Sequence, residues 1–109
     1  MSNGQKRSSL TTKVAIGVAR VVLHLPESGS LKSKRQVVSG LLQRLRQELK
    51  VAAAEVGELD RWQLAEIAIV TVSADSRQAD RVLAAALSYV EGHAGGAQVA
   101  DVSTELLPL

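Results

Sequence analysis

Residues 14–35 read VAIGVARVVLHLPESGSLKSKR, and this stretch decides the fold of the chain. The segment from Val14 to Leu25 is β-branched and apolar and stops at Pro26, which is typical of a strand that runs into a turn. Ser30 follows the turn and is a good helix N-cap, because its hydroxyl accepts a hydrogen bond from a free amide of the first turn. The stretch therefore predicts a strand, a short loop and the start of a helix.

Hydrophobic spacing downstream predicts two helices and three more strands. The first helix follows Ser30 for about five turns. Asp75 caps the second helix, with Gln78 as the return half of a capping box, and Gly92, Gly95 and Gly96 end it. The apolar helix positions are Leu31, Val38, Leu41, Leu42, Leu45 and Leu49, then Ala79, Val82, Leu83, Ala86, Leu87 and Val90. The further strands are predicted at Val51–Val56, Leu64–Val72 and Ala97–Leu107.

The element order β-α-β-β-α-β fits a split βαβ arrangement with right-handed crossovers. We therefore expect an α+β, ferredoxin-like fold, in which two helices cover one face of a four-stranded antiparallel sheet. The first and third strands should lie in the centre, where the most apolar runs belong. We expect residues 1–12 to form a flexible polar tail and residues 13–109 to form a single domain.

Composition restricts the chemistry of the chain. It has 46% hydrophobic residues but no Phe, one Trp and one Tyr, so the core must be aliphatic. The absence of Cys excludes disulfides and thiolate metal sites and fits a reducing cytoplasm. The polar N-terminus lacks the apolar segment of a secretory signal, and no apolar run approaches the ~18 residues of a membrane span. We predict a cytoplasmic protein without a membrane partner.

Charge is divided unequally along the chain. Residues 1–50 carry ten Lys and Arg against Glu27 and Glu48, a net charge of +8. Residues 51–109 carry three Arg against nine acids, a net charge of −6. Such asymmetry indicates an anionic partner for the basic half.

Several segments together resemble a known family. Residues 17–26 (GVARVVLHLP) and 30–35 (SLKSKR) resemble the opening of the YlxP-like family of small bacterial proteins, and residues 54–57, 62–63, 65–66 and 72–73 resemble its middle. The resemblance covers roughly residues 14–107. Ser33 stands where relatives often have an acid, and Val22 where they often have a polar residue.

The resemblance implies a ferredoxin-like fold and a bacterial cytoplasmic protein, without a settled biochemical activity. Genes of this family often lie beside those of translation initiation and ribosome-binding factors. The resemblance therefore implies a role connected with RNA or the ribosome, by association.

Three cations, Lys32, Lys34 and Arg35, occupy the first turns of the first helix, where the helix dipole favours anions. Cations at this end indicate a docked anion such as an RNA phosphate; the alternative is a solvated polar face. We add Arg20 and His24 to this predicted anion-binding set. Because the central strands lack aromatic rings for base stacking, binding should rely on phosphate contacts.

The sheet face away from the helices is expected to be apolar, since the chain has no third helix to cover it. We predict a homodimer interface there; its residues are Val18, Val22, Ala68, Val70 and Val72. Arg20 and Glu66 share this face, where an ion pair between them is a more economical interpretation than catalysis. His24 has no companion ligand at metal-binding spacing, so no metal site is expected.

No nucleophile motif, phosphate loop or dinucleotide fingerprint is present, and no cofactor is expected. The favoured function is an accessory protein that binds RNA or the ribosome. The alternatives are a homo-oligomeric structural or regulatory protein, and a small phosphate-handling enzyme with the first strand–helix loop as its cradle. Trp62 lies in a loop, where it either covers the core edge or anchors an interface.

Overall fold

The computed structural model describes residues 12–109. The predicted tail, residues 1–12, lies outside this range except for Thr12. The chain forms six elements in the predicted order βαββαβ. They are β1 (Ala15–His24), α1 (Leu31–Leu49), β2 (Ala52–Gly57), β3 (Leu64–Ser73), α2 (Ser76–His93) and β4 (Gln98–Pro108).

The four strands form one antiparallel sheet in the order β2-β3-β1-β4. β1 and β3 are central, as predicted, and β2 and β4 are the edges. Both helices pack on the same face, with α1 against β2 and α2 against β1, β3 and β4. The ferredoxin-like fold is confirmed.

Alternation along the central strands creates the core. On β1 the odd-numbered residues from Ala15 to Leu23 are buried under the helices, while the even-numbered residues point to the opposite, open face. On β3 the buried positions are Ala65, Ile67, Ile69 and Thr71. Gly17 belongs to the buried set, because a Cβ there would lie 2.9 Å from Cδ1 of Leu83. This glycine lets α2 approach the sheet closely.

Side-chain caps begin both helices, as predicted. The Ser30 hydroxyl accepts from the amide of Ser33 at 3.0 Å, and the Asp75 carboxylate accepts from the amide of Gln78 at 2.8 Å. The reciprocal half of the predicted capping box is wrong. The Gln78 side chain instead accepts from Arg81, a charged donor one turn further along the helix.

The helix ends differ from expectation in detail. α2 continues through Gly92 and ends at His93, and the turn after it uses Gly95 at φ 64°. α1 ends at Leu49, and its C-cap residue Lys50 has a left-handed backbone at φ 58°, a conformation that glycine adopts at lower cost.

Candidate nucleic-acid interface

Lys34 is not available to a docked anion. Its side chain is fully buried, at 0% exposure, and its ammonium lies 2.8 Å from Oε2 of Glu55 on β2. The same ammonium donates to the backbone carbonyls of Glu58 at 2.8 Å and Leu59 at 3.5 Å. The placement of Lys34 in the predicted anion-binding set is therefore wrong. Helical geometry turns this residue towards β2, where a carboxylate compensates its charge.

Lys32 and Arg35, the other two cations of the first turns, are exposed. They line a shallow groove on the outer surface of α1. The groove is completed by Gln36, Ser39, Gly40 and Gln43. Apart from Gly40, these residues have polar or cationic side chains, and none is acidic.

The groove continues along the helix as a longer charged surface. Lys32, Arg35 and Arg46 are exposed and recur at helical spacing on one side of α1, and the exposed Lys50 is the C-cap residue of the helix. We call these four residues the basic stripe. At 1.5 Å per residue the basic stripe extends for about 27 Å. The only acid of α1 is Glu48, which a helical projection places towards the side of the helix rather than on the stripe.

Two arginines of α1 also tie the helix to its neighbours. Arg46 donates from Nε and Nη2 to the carbonyl of Ala53 on β2, at 3.1 and 2.7 Å. Arg44 donates to the carbonyl of His93, at the C-terminus of α2, at 2.9 Å. Both side chains remain exposed, so their charges still contribute to the surface potential of α1.

Arg20 and His24 do not join the cations of α1. They lie on the open face of the sheet, whereas Lys32 and Arg35 lie on the helix layer at the opposite surface. The prediction of one anion-binding set containing all of them is therefore wrong. The expected ion pair between Arg20 and Glu66 is also wrong: Arg20 is opposite Ala68 and Ser103, Glu66 is opposite Val22, and the ion pairs found between described residues do not include these two.

Comparison with known proteins places this chain in a family. The family described as "Protein of unknown function (DUF503)" matches residues 16–104, which is most of the chain. The chain belongs to the DUF503 family. A curated relative is the "Uncharacterized protein YlxP" of Bacillus subtilis (strain 168), which is 32% identical over 76 residues, covering 70% of this chain and 83% of the relative. The resemblance found in the sequence is thereby confirmed.

Solved structures similar to this DUF503 protein include two designed proteins. "De novo designed protein Foldit4" has a TM-score of 0.46 and 15% identity, covering 85% of this chain and 96% of the designed one. The designed protein "LFR1 1 with ferredoxin fold" has a TM-score of 0.44 and 11% identity, covering 90% and 85%. At these scores the assignment of the fold rests on the element order and sheet topology of the DUF503 chain itself.

The open face of the DUF503 sheet contains the residues predicted to form a dimer interface. Val18, Val22, Ala68 and Val70 are half-buried among their neighbours, and Val72 is 69% exposed. Their common placement on this face is as predicted, while the interface itself stays a prediction. The β4 strand adds Asp101, Ser103 and Glu105 to the same face, opposite Val22, Arg20 and Val18.

The depression at the β1–α1 loop is poorly suited to bind a phosphate. It is lined by Glu27, Ser28, Ser33 and apolar residues, with no cation among the described residues that line it. In the part of the chain that the structure describes, no three His, Cys, Asp or Glu side chains cluster as metal ligands. No helix within residues 12–109 is long and apolar enough to span a bilayer.

Trp62 is 55% exposed in the β2–β3 loop, so it does not cover the core edge. The neighbouring Gln63 side chain donates to the carbonyls of Pro26 and Ser28, which ties this loop to the β1–α1 loop. The Lys34 contacts join the β2–β3 loop to the first turn of α1. Trp62 therefore lies at the same end of the molecule as Lys32 and Arg35.

Sequence reasoning missed Arg46 and Lys50 as members of the basic stripe, although their helical spacing from Arg35 was a usable signal. It also missed Glu55, the partner of Lys34. No sequence pattern relates these two residues, because 21 positions and a change of element separate them.

Proposed function

We propose that this DUF503 protein binds RNA through the basic stripe on α1, by contacts to phosphates rather than to base edges. One observation carries the proposal: three exposed cations recur along one side of α1 and a fourth lies at its C-cap, with no acid among them. A run of positive charge about 27 Å long matches a polyphosphate backbone better than it matches a single small anion. The proposal places the protein in the cytoplasm, where ribosomal RNA is abundant.

The chemistry of the surface limits the mode of binding. Lys and Arg contacts to phosphates position a protein on RNA but do not read its sequence. Of the two aromatic residues of the chain, Tyr89 stacks on His93 with ring centroids 3.9 Å apart, and only Trp62 is exposed near the stripe. We therefore expect weak sequence preference and a strong dependence on salt.

The test is a titration of fluorescently labelled single-stranded and double-stranded RNA, followed by anisotropy at several salt concentrations. Replacing Lys32 and Arg35 together by Glu should weaken RNA binding at least about tenfold at low salt, because each substitution exchanges an attraction for a repulsion. With four cations available, the slope of log affinity against log salt should not exceed about 3 for a single strand.

A matched control is available on α2. Arg77 and Arg81 are also exposed and also lie in the first turns of a helix, so replacing both by Glu makes the same change in net charge. This control should lose less than about threefold in affinity. Equal losses in the two variants would mean that net charge alone drives binding, and no RNA binding by the wild type would refute the proposal.

Self-association without a nucleic-acid ligand is the second candidate function. The open sheet face supports it, because Val72 and its half-buried neighbours present apolar area that no described element covers. Val70→Lys should then convert a dimer into a folded monomer in sedimentation experiments. A wild-type monomer, unaffected by Val70→Lys, would exclude this interface.

A further inference from the structure

The two edges of the sheet are not equally open to another strand. β2 has six residues, and its register shifts between Glu55 and Gly57. The Arg46 guanidinium donates two hydrogen bonds to the Ala53 carbonyl, so a strand that approaches β2 meets a charged side chain. β4 has eleven residues and pairs on one side only, with β1. Its register with β1 shifts once, between Val22 and Leu23, and is regular from Asp101 to Pro108. A regular edge of this length is a template for further strand pairing.

The hydrogen bonds at the end of β4 reveal which of its backbone groups point outward. Val14 and Leu109 exchange both of their N–H···O bonds, at 3.3 and 2.7 Å. In an antiparallel ladder, such pairs alternate with pairs whose backbone groups point away from each other. Counting back from Leu109 along the pairing of β4 with β1, the backbone groups of Leu106, Thr104 and Val102 point away from β1. Pro108 also belongs to these outward-pointing residues, so its missing N–H removes no hydrogen bond between β4 and β1.

The side chains along this edge favour pairing as well. Val102 is 42% exposed and Leu106 is 36% exposed, although both lie on the side of the sheet that the helices cover. β4 carries no Lys, the residue that most often protects an edge. Its two charges, Asp101 and Glu105, are both acidic and both point to the open face, as the partners of Val22 and Val18.

These charges select one register for two copies of β4 related by a two-fold axis. An axis through Ser103 would set Asp101 opposite Glu105 of the other copy, and an axis through Glu105 would set that residue opposite itself. Like charges directly opposite each other destabilise a sheet. An axis through Thr104 sets Val102 opposite Leu106, Asp101 opposite Leu107 and Ser103 opposite Glu105. Axes through Val102 or Leu106 pair fewer of the outward-pointing residues.

We propose that β4 pairs antiparallel with β4 of a second copy of this chain, with Thr104 on the two-fold axis, to form a continuous eight-stranded sheet. The pairing supplies about six backbone hydrogen bonds, two for each of the three outward-pointing pairs. It buries Val102 against Leu106 twice. Because the Arg46 side chain blocks the β2 edge, the assembly stops at a dimer instead of growing into a fibre.

Cysteine cross-linking tests the register directly, since the natural chain has no Cys. Thr104→Cys places two thiols in a hydrogen-bonded pair, where Cα atoms are about 5.5 Å apart and within the range of a disulfide. Mild oxidation should convert this variant into a covalent dimer at micromolar concentration. The control is Val72→Cys, an exposed position on the open face, which should stay uncross-linked.

Cross-linking of Val72→Cys without that of Thr104→Cys would overturn the proposal in favour of the open-face dimer. Sedimentation supplies an independent measurement. The wild type should be a dimer at about 100 µM, and Val102→Lys should raise the dissociation constant at least about tenfold. Val72→Lys, checked like Val102→Lys for an unchanged circular dichroism spectrum, should leave it unaltered. A wild type that sediments as a monomer at this concentration would also overturn the proposal.

Discussion

The two helices cover different halves of the same sheet face, and they have nearly equal length but different chemistry. α1, over β2, has 19 residues with five cations and one acid, whereas α2, over β1 and β4, has 18 residues with two Arg and two acids. α1 is joined to β2 and the loop after it by long charged side chains, Lys34 and Arg46. α2 lies close to the sheet through small and aliphatic contacts such as Gly17 with Leu83.

α1 is bonded to β2 through some of its cations and still exposes cations to solvent. On the α1 side, Lys34 turns inward and is neutralised by Glu55, whereas the cations of the basic stripe stay exposed even where one of them, Arg46, is hydrogen-bonded to β2. On the α2 side the charges cancel, and the neighbouring edge strand β4 is left open. The proposed RNA binding and the proposed self-pairing therefore involve opposite edges of the same sheet, and substitutions can alter each edge alone.

The largest effect is expected from breaking the buried ion pair on the α1 side. Lys34→Met should lower the free energy of unfolding by about 3–5 kcal/mol, because it leaves the Glu55 carboxylate largely buried without a counter-charge. Urea unfolding measures this loss. The double variant Lys34→Met with Glu55→Leu should recover most of it, since no charge then stays buried. A loss below about 1 kcal/mol in the single variant would show that water compensates Glu55 instead.

The next effect concerns the close approach on the α2 side. Gly17→Ala should destabilise the protein by about 1–3 kcal/mol, because the new methyl group overlaps Leu83 and forces α2 outward. Thermal unfolding provides the measurement. Leu83→Ala added to Gly17→Ala should cost less than Leu83→Ala alone costs in the wild type. Additive losses would mean that the two residues do not compete for space.

A smaller effect is expected at the β2 edge, where Arg46 is hydrogen-bonded. Arg46→Met should cost about 1–2 kcal/mol, through the loss of hydrogen bonds from a charged donor to the Ala53 carbonyl. It should also expose the β2 edge and permit assemblies larger than a dimer, which light scattering would detect. Arg44→Met is the matched control, because Arg44 bonds to α2 and leaves β2 unchanged. Identical scattering by the two variants would argue against a protective role for Arg46.

The smallest expected effect is a gain in stability. Lys50→Gly should stabilise the protein by up to about 1 kcal/mol, since glycine adopts the left-handed conformation at φ 58° without strain. The same substitution removes one cation of the basic stripe, so RNA binding should weaken slightly while stability rises. Chemical denaturation and RNA titration of this one variant thus separate the two contributions of Lys50. A loss of stability would show that the Lys50 side chain contributes more than its backbone costs.

Much of the architecture was readable in the sequence, for local reasons. The long apolar runs identified β1 and β3 as the central strands, and Ser30 and Asp75 marked where the helices begin. The candidate site was only partly predictable. Lys32 and Arg35 were expected on the surface and are there, but Lys34, between them, points inward. Arg20 and His24 lie on the far face of the sheet.

The sequence by itself determined the order of elements, the aliphatic core and the excess of cations on the first helix, because periodicity and composition act over one or two turns. Only the tertiary structure decided which cations are buried and which are hydrogen-bonded within the protein. Lys34 is neutralised by Glu55, and Arg46 is held by the Ala53 carbonyl, across elements that no local pattern connects. The open edge at β4 is likewise a product of strand order, since a strand becomes an edge through its position in the sheet and not through its own residues.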